Sequence, residues 1–498
     1  MKTKAKKLVT LILTALLVLS ILPMNVFAAQ EKVTASSTAS ITINNAVEND
    51  ELAAYKVVDI AYNAANNTLS YAWNSAFAEY FAGTTSYNST AKTVEQFAAL
   101  TNDSDELKTL LAGLPNYISA KNIAPVDTQT VAADKTATFA DLAMGEYFIR
   151  PASTTSVYQL MLQKVEPTVV DGTYVIDDIP FNAKHQEVSV TKTADKTSVT
   201  KNEKVTYTIT VDIPTYASQA VDKSFSVADL LPDGLTIDTV SIKVQIDGTD
   251  VNAAAYTLDT AATAEYTFKL SVDTAKYAAS WSASGGKQLV ITYTATLNDD
   301  DTTAVNTKET NKVTFDYSNY PYVENSHKQK TDTVDVTTFA IKIDKFVKDQ
   351  EATKLAGAKF DLYRTATHAE IDAGTSVEIP HTSIQGIKLE GDKVTDDNGA
   401  ATFEKYEANG NKYDYYLVET QAPSGYNILD NAVKVNFTDA EVEATAGVYT
   451  VKVSNSSGIQ LPITGGTGTV IFTIIGIALM VGAVVLFVVS RKKAKESK

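Results

Sequence analysis

The sequence predicts a mainly β protein: tandem immunoglobulin-like β-sandwich domains in an elongated rod, with a small helical element in the first domain. Segments that alternate apolar and polar residues recur between turn residues along most of the 498-residue chain. Tyr is plentiful at 25, Thr and Val recur, and Trp is scarce at two, which suits half-buried strands. Between its two apolar ends the chain has about 435 residues, enough for two to four domains.

The N-terminal end carries Lys2, Lys4, Lys6 and Lys7, then the apolar run LVTLILTALLVLSIL, then the small residues Val26 and Ala28. This is the layout of a secretory signal peptide, residues 1–28, cleaved after Ala28. The other end reads Leu461-Pro462-Ile463-Thr464-Gly465-Gly466, followed by an uncharged apolar run over 467–489 and a basic tail over 490–498. As a helix the run would span roughly 34 Å, enough to cross a bilayer, with the basic tail held on the cytoplasmic side.

The signal carries four positive charges and the tail a net four, so removing both takes the whole-chain −16 to −24. So acidic an exported body argues against nucleic acid or anionic lipid as the partner. The chain has no cysteine and only four His, at 185, 327, 368 and 381. No disulfide can therefore brace it, and some other staple is expected. No metal site or cofactor is expected.

The first domain, 29–184, has the strand-like pieces ASITINN and LAAYKVVDIAY, then a helical stretch over about 93–112. Its stripe is Phe97, Leu100, Leu107, Leu110 and Leu111, with Gly113 and Pro115 expected to stop it. EYFIRP, YQLMLQKV and TYVIDDIPF follow. The second domain, 185–335, runs from EVSVTKTADK and KVTYTITVDIP through SFSVADLLPDGL, AEYTFKLSV and QLVITYTATL to NKVTFDYSNYP. The third, 336–457, has FAIKIDKFVKD, KLAGAKFDLY, a DDNG turn at 396–399, YDYYLVET and VYTVKVSN.

Period-two reading of the strands places polar residues on apolar faces. Lys345 continues the face of Phe339, Ile341 and Ile343. Asn455 shares a face with Val451 and Val453, and Glu419 with Tyr415 and Leu417. Burial favours the neutral form of a lysine and of a glutamate. A neutral amine is a nucleophile, and a neutral carboxylic acid can hydrogen-bond an amide. With a carboxamide beside them, the set can expel ammonia and leave a Lys–Asn isopeptide bond. In the second domain Lys192 lies with Val188 and Val190, and Asp229 with Phe225 and Val227. Asn311, Val313, Phe315, Tyr317 and Asn319 share one face. No equivalent triple stands out in the first domain.

The terminal LPITG, apolar run and basic tail together resemble the cell-wall sorting signal of Gram-positive surface proteins. LAGAKFDLY and YYLVETQAPSGY are similar to the collagen-binding-protein B-type domain, the second containing the "E-box" of Gram-positive pilins. YSNYP resembles the ending of the middle domain of major pilins. The resemblance is to sortase-assembled backbone, or shaft, pilins. It implies a Lys345–Asn455 cross-link promoted by Glu419, with Lys342 as fallback lysine. It also implies a Lys192–Asn319 cross-link assisted by Asp229, with Asn311 as the alternative.

The resemblance further implies that a sortase cleaves between Thr464 and Gly465 and joins Thr464 to a lysine of the next copy. In the family that lysine closes the N-terminal domain; here the matching stretch is Ile179-Pro180-Phe181-Asn182-Ala183-Lys184-His185. Lys184 is the expected acceptor, although Ala183 stands where the family has proline. Lys164, in LQKVEP, is a weaker candidate. The implied partners are a pilus-class sortase, further copies of the chain, minor pilins, and peptidoglycan precursor through a housekeeping sortase. Host or neighbouring-cell receptors are left open. The implied location is a cell-surface pilus of a Gram-positive bacterium.

The alternative reading is a monomeric wall-anchored adhesin or a minor or basal pilin. No G-x-S-x-G, HExxH or P-loop pattern points to an enzyme. Asp299-Asp300-Asp301 and Asp396-Asp397-Asn398-Gly399 lack EF-hand spacing and are expected to be exposed turns.

Overall fold

In the computed structural model the described residues are 32–101, 104–298, 308–410, 412–457 and 475–488. The chain divides into two compact units. The first takes in the chain up to Glu187 together with Ala217–Asp222 and Asn319–Ser326, and the second takes the remainder. Two short pieces of the expected second domain thus belong by contact with the first unit.

The first unit is mixed. Thr38–Asn44 sits between Ala137–Ala143, antiparallel to it, and Ile179–Asn182, parallel to it. A second sheet runs Thr68–Trp73, Glu51–Asn63, Gly145–Ser153, Met161–Val165, with Asp127–Thr130 on Glu51–Asn63. The helical stretch is two helices, Val94–Ala98 and Asp105–Lys121. Thr93 and Gln96 form a capping box at the first, and Ser104 caps the second.

The expected stop at Gly113 and Pro115 is not observed, since the second helix runs through both to Lys121. Tertiary contact explains Gly113. A Cβ there would lie 2.4 Å from the Tyr80 hydroxyl, which donates to the Leu110 carbonyl at 2.5 Å. Leu107, Leu110, Leu111, Leu114 and Tyr117 then bury against Phe77, Tyr80, Phe81 and Phe97. Burial of that face, at about 1.5–3 kcal/mol per large side chain, outweighs the roughly 3 kcal/mol cost of an interior proline.

The second unit contains two pairs of sheets. In the first pair, Val190–Ala194, Lys204–Asp212, Gln288–Leu297, Leu235–Ile246 and Thr249–Asp250 form one sheet. Thr257–Asp259, Phe268–Val272, Phe225–Leu230, Lys308–Ser318 and His327–Thr337 form the other. Burial alternates strictly in Lys204–Asp212 and Gln288–Leu297, as period-two patterning requires. Phe268 on one sheet meets Tyr293 on the other edge to face, with ring centroids 5.2 Å apart.

In the second pair, Phe339–Val347 is flanked on one side by Ala400–Tyr406 and on the other by Val448–Asn455. The first and last strands of this segment are therefore parallel neighbours, with Lys345 opposite Val453 and Val347 opposite Asn455. The facing sheet runs Val377–Glu378, Gln385–Val394, Lys359–Thr365, Tyr415–Gln421, Val433–Val435. Phe339, Ile341 and Ile343 share a core with Phe360, Leu362, Tyr415 and Leu417 of that sheet. The DDNG turn forms as expected, with Gly399 at φ +70° and its carbonyl accepting from the Lys345 N–H at 2.8 Å.

Hydrogen bonds join the two pairs. Lys201 N–H donates to the Lys405 carbonyl at 2.9 Å, Ala408 N–H to Ser198 Oγ at 3.1 Å, and Lys201 Nζ to Glu390 at 3.0 Å.

Residues 475–488 are helical, and among the described residues no helix is long and apolar enough to cross a membrane. The expected signal and its Ala28 cleavage site, the sorting motif Leu461–Gly465, both ends of the 467–489 span and the basic tail lie outside the described residues.

Candidate isopeptide sites and acceptor lysine

Three strands bring the C-terminal cluster together. Phe339–Val347 supplies Lys345, Val448–Asn455 supplies Asn455 from the same sheet, and Tyr415–Gln421 supplies Glu419 from the facing sheet. All three are buried, Lys345 at 0% exposure and the other two at 1%. Lys345 Nζ touches Asn455 Oδ1 and lies 3.1 Å from Glu419 Oε1. Asn455 Nδ2 donates to Glu419 Oε1 at 3.0 Å and Oε2 at 2.9 Å. The Leu429 N–H holds Oε2 at 2.9 Å, and the Asn427 carbonyl accepts from Nδ2 at 2.8 Å.

Burial pulls the Lys345 amine below the ordinary lysine range, although Glu419 opposes it. The Phe360 ring closes the site, its centroid 5.3 Å from Nζ. Lys342, the fallback, points from the opposite face of its strand beside Thr402 and Thr450, away from Glu419 and Asn455.

The middle cluster joins the two sheets of its pair. Lys192 comes from Val190–Ala194, Asp229 from Phe225–Leu230 and Asn311 from Lys308–Ser318. Lys192 Nζ is bonded to Asp229 Oδ2, with both side chains fully buried. Burial lowers the lysine from its usual range and raises the carboxyl, in each case against the pull of the partner charge. Both shifts favour the neutral amine and the neutral acid.

Asn311, not Asn319, is the carboxamide at this site. Its Nδ2 donates at 2.7 Å to the Tyr293 hydroxyl, which is hydrogen-bonded to both Lys192 and Asp229. Asn319 instead donates to the Thr154 carbonyl at 2.9 Å within the first unit. The two asparagines share a face but differ in position along it. Asp229 pairs with Val313, from which Asn311 is two residues away and Asn319 six. At ~3.3 Å per residue those separations are about 7 Å and about 20 Å.

Sequence reasoning also missed Tyr293 and Tyr207, which alternate with apolar neighbours and read as core. Their rings stack at 5.4 Å, and each centroid lies 5.2 Å from Lys192 Nζ. Asn311 Oδ1 is buried without a hydrogen-bond partner among the described residues.

Lys184 follows Ile179–Asn182 and is exposed, while Ala183 before it is buried, with its N–H bonded to the Asn44 carbonyl at 2.8 Å. Ala183 thus pins the segment that the proline of the resembled motif would stiffen. Lys164 is held differently, 2.7 Å from buried Glu146 and 3.2 Å from Glu166. Burial works to lower its pKa, but the two carboxylates outweigh that and raise it, which holds the amine charged. Asp396 accepts from the Asn398 and Ala400 N–H groups, the pattern of a turn. Among the described residues no group of three or more His, Cys, Asp or Glu side chains is arranged to hold a metal ion.

The family described as a SpaA prealbumin-like fold domain matches residues 339–453, and the LPXTG cell wall anchor motif matches 453–496. A fimbrial subunit type 1 of Actinomyces viscosus is 26% identical over 343 residues, and the chain covers 63% of that relative's length. The trypsin-resistant surface T6 protein of Streptococcus pyogenes serotype M6 is 24% identical over 389 residues, with 70% of its length covered. Two solved structures share the fold. The T6 backbone pilin of that organism, described as a modular three-domain structure, has a TM-score of 0.58 at 19% identity, covering 82% of this chain and 81% of its own. The full-length major pilin SpaD of Corynebacterium diphtheriae has a TM-score of 0.54 at 15% identity, covering 86% and 99%. With a SpaA-type domain matched over 339–453, an LPXTG anchor motif over 453–496 and fimbrial subunits among its relatives, the chain is similar to the wall-anchored surface pilins of Gram-positive bacteria.

Proposed function

We propose that the chain is the backbone subunit of a covalent pilus, built of three domains over 29–184, 185–335 and 336–457. A pilus-class sortase joins Thr464 of one copy to Lys184 of the next, and two internal Lys–Asn isopeptide bonds brace each copy. The observation that carries this reading is the buried cluster in which Lys345 and Asn455, on the first and last strands of the C-terminal segment, meet Glu419 from the facing sheet.

The geometry supports a definite route. Lys345 Nζ attacks Asn455 Cγ, forming the Nζ–Cγ bond and breaking Cγ–Nδ2. Glu419 touches both nitrogens, so it can take a proton from the attacking amine and give one to the departing Nδ2, which leaves as ammonia. Glu419 ends as it began, and no electrons are transferred. Lys192, Asp229 and Asn311 support the same reaction in the middle domain. In the polymer, exposed Lys184 is the nucleophile, whereas Lys164, held between Glu146 and Glu166, is not.

The test is co-expression with a pilus-class sortase. Wild type should give a ladder of high-mass polymers that Lys184→Ala abolishes and Lys164→Ala leaves intact. A ladder that survives Lys184→Ala moves the acceptor elsewhere. Wild type without any ladder favours the monomeric anchored reading.

A further inference from the structure

The two clusters differ in how the acid reaches the leaving amide. Both oxygens of Glu419 lie within 3.0 Å of Asn455 Nδ2. In the middle domain, Asn311 Nδ2 is bonded to the Tyr293 hydroxyl at 2.7 Å, and no hydrogen bond joins it to Asp229 among the described residues. The same hydroxyl lies 2.7 Å from Asp229 Oδ1 and 2.9 Å from Lys192 Nζ. Among the described residues, the hydrogen-bonded path from Asp229 and Lys192 to the leaving nitrogen therefore crosses the Tyr293 phenol oxygen.

We propose that Tyr293 is a catalytic residue of the middle domain, a proton relay between Asp229 and the departing amide nitrogen of Asn311. This rests on the isopeptide reading above. As Nζ–Cγ forms and Cγ–Nδ2 breaks, one Nζ proton passes to Asp229 Oδ2. The carboxyl proton on Oδ1 passes to the Tyr293 oxygen, and the Tyr293 hydroxyl proton passes to Nδ2. Nδ2 leaves as ammonia, Lys192 keeps one proton as the amide N–H, and Asp229 and Tyr293 are restored. No oxidant or metal is needed. Burial raises the Asp229 carboxyl and holds the Tyr293 phenol protonated, so both carry the proton the relay passes on. Tyr293 is itself fixed by stacking on Tyr207 and by its edge contact with Phe268. The C-terminal cluster has no such intermediary, so the two bonds of one chain form by chemically distinct routes.

The experiment follows ammonia loss by intact mass and peptide mapping after the full chain, made as unfolded protein, is refolded in detergent. Wild type should lose two ammonias, one per cluster. Tyr293→Phe should keep the C-terminal loss at its normal rate while the middle loss slows by about 10²-fold or more. A middle loss at the wild-type rate in Tyr293→Phe overturns the relay. If the phenylalanine variant does not fold, 3-fluorotyrosine at 293 preserves the shape and changes only the acidity of the relay. A changed middle rate beside an unchanged C-terminal rate then supports the proposal, and identical rates overturn it. Failure of the isopeptide reading itself would appear separately, as wild type losing no ammonia.

Discussion

Replacing Glu419 with glutamine removes the acid from the C-terminal cluster while keeping a side chain of the same shape. Lys345 and Asn455 remain, 110 residues apart in sequence, so the change isolates the cross-link. Closing a loop of that size removes unfolded-chain entropy worth about 5 kcal/mol. The matched segment is 339–453. Its unfolding entropy, taken at ~2.1 cal/mol/K per residue, is about 0.24 kcal/mol/K, so losing the bond lowers its Tm by about 20 °C. The true drop is larger, because an uncross-linked Lys345 stays buried without its carboxylate. Scanning calorimetry of Glu419→Gln beside wild type gives the shift, and peptide mass gives the bond. Ammonia loss at the wild-type rate would refute the role of Glu419. A transition within ~5 °C of wild type, with the bond absent, would refute the entropic account.

Asn311→Ala should abolish the middle-domain ammonia loss. Asn319→Ala should leave it intact and instead destabilise the first unit by about 1–3 kcal/mol, by stripping the Thr154 carbonyl of its donor; peptide mass and urea melts distinguish the two. The rate of middle-domain bond formation on refolding should be flat near neutrality and fall at both extremes. The neutral Asp229–Lys192 pair and the ion pair hold the same number of protons, so their balance is independent of pH. Acid depletes the reactive form by protonating the amine beside a neutral carboxyl, and alkali does so by stripping the carboxyl. Because burial raises Asp229 and lowers Lys192, a rate that instead climbs steadily through neutral pH would contradict the assignment. Gly399→Ala should slow the C-terminal bond and lower its Tm. The left-handed backbone costs alanine about 1–2 kcal/mol. The added Cβ would also lie 2.2 Å from the Lys345 carbonyl oxygen, shifting the strand that carries the nucleophile.

Alternation along a strand reports which face a side chain takes, and this is why Lys345, Glu419, Asn455, Lys192 and Asp229 were legible before any coordinates. It does not report how far along the partner strand a residue falls. Asn311 and Asn319 are equivalent by face, and only the pairing of Asp229 with Val313 separates them. Tyr293 was hidden for another reason: a tyrosine among apolar neighbours is the commonest core pattern, and its hydroxyl acquires a role only from what lies across the sandwich. The helix through Gly113 and Pro115 shows local propensity yielding to packing, since the glycine makes room for Tyr80. The strand content needed no such tertiary information.

The parallel pairing of Phe339–Val347 with Val448–Asn455 determines how much slack the C-terminal domain can release. Pulled from its two ends without a covalent tie, the loop between Lys345 and Asn455 would pay out as free chain. At ~3.3–3.6 Å per residue its 110 residues amount to about 380 Å of contour. With the tie in place that length is locked away, and the path between the domain's two ends shrinks to a few residues of adjacent strand. The proposed Lys192–Asn311 bond would sequester a loop of similar size in the same way. If the proposed bonds form, a fibre of such subunits would behave as a taut line rather than a spring, and any give in it would come from outside the two tied loops.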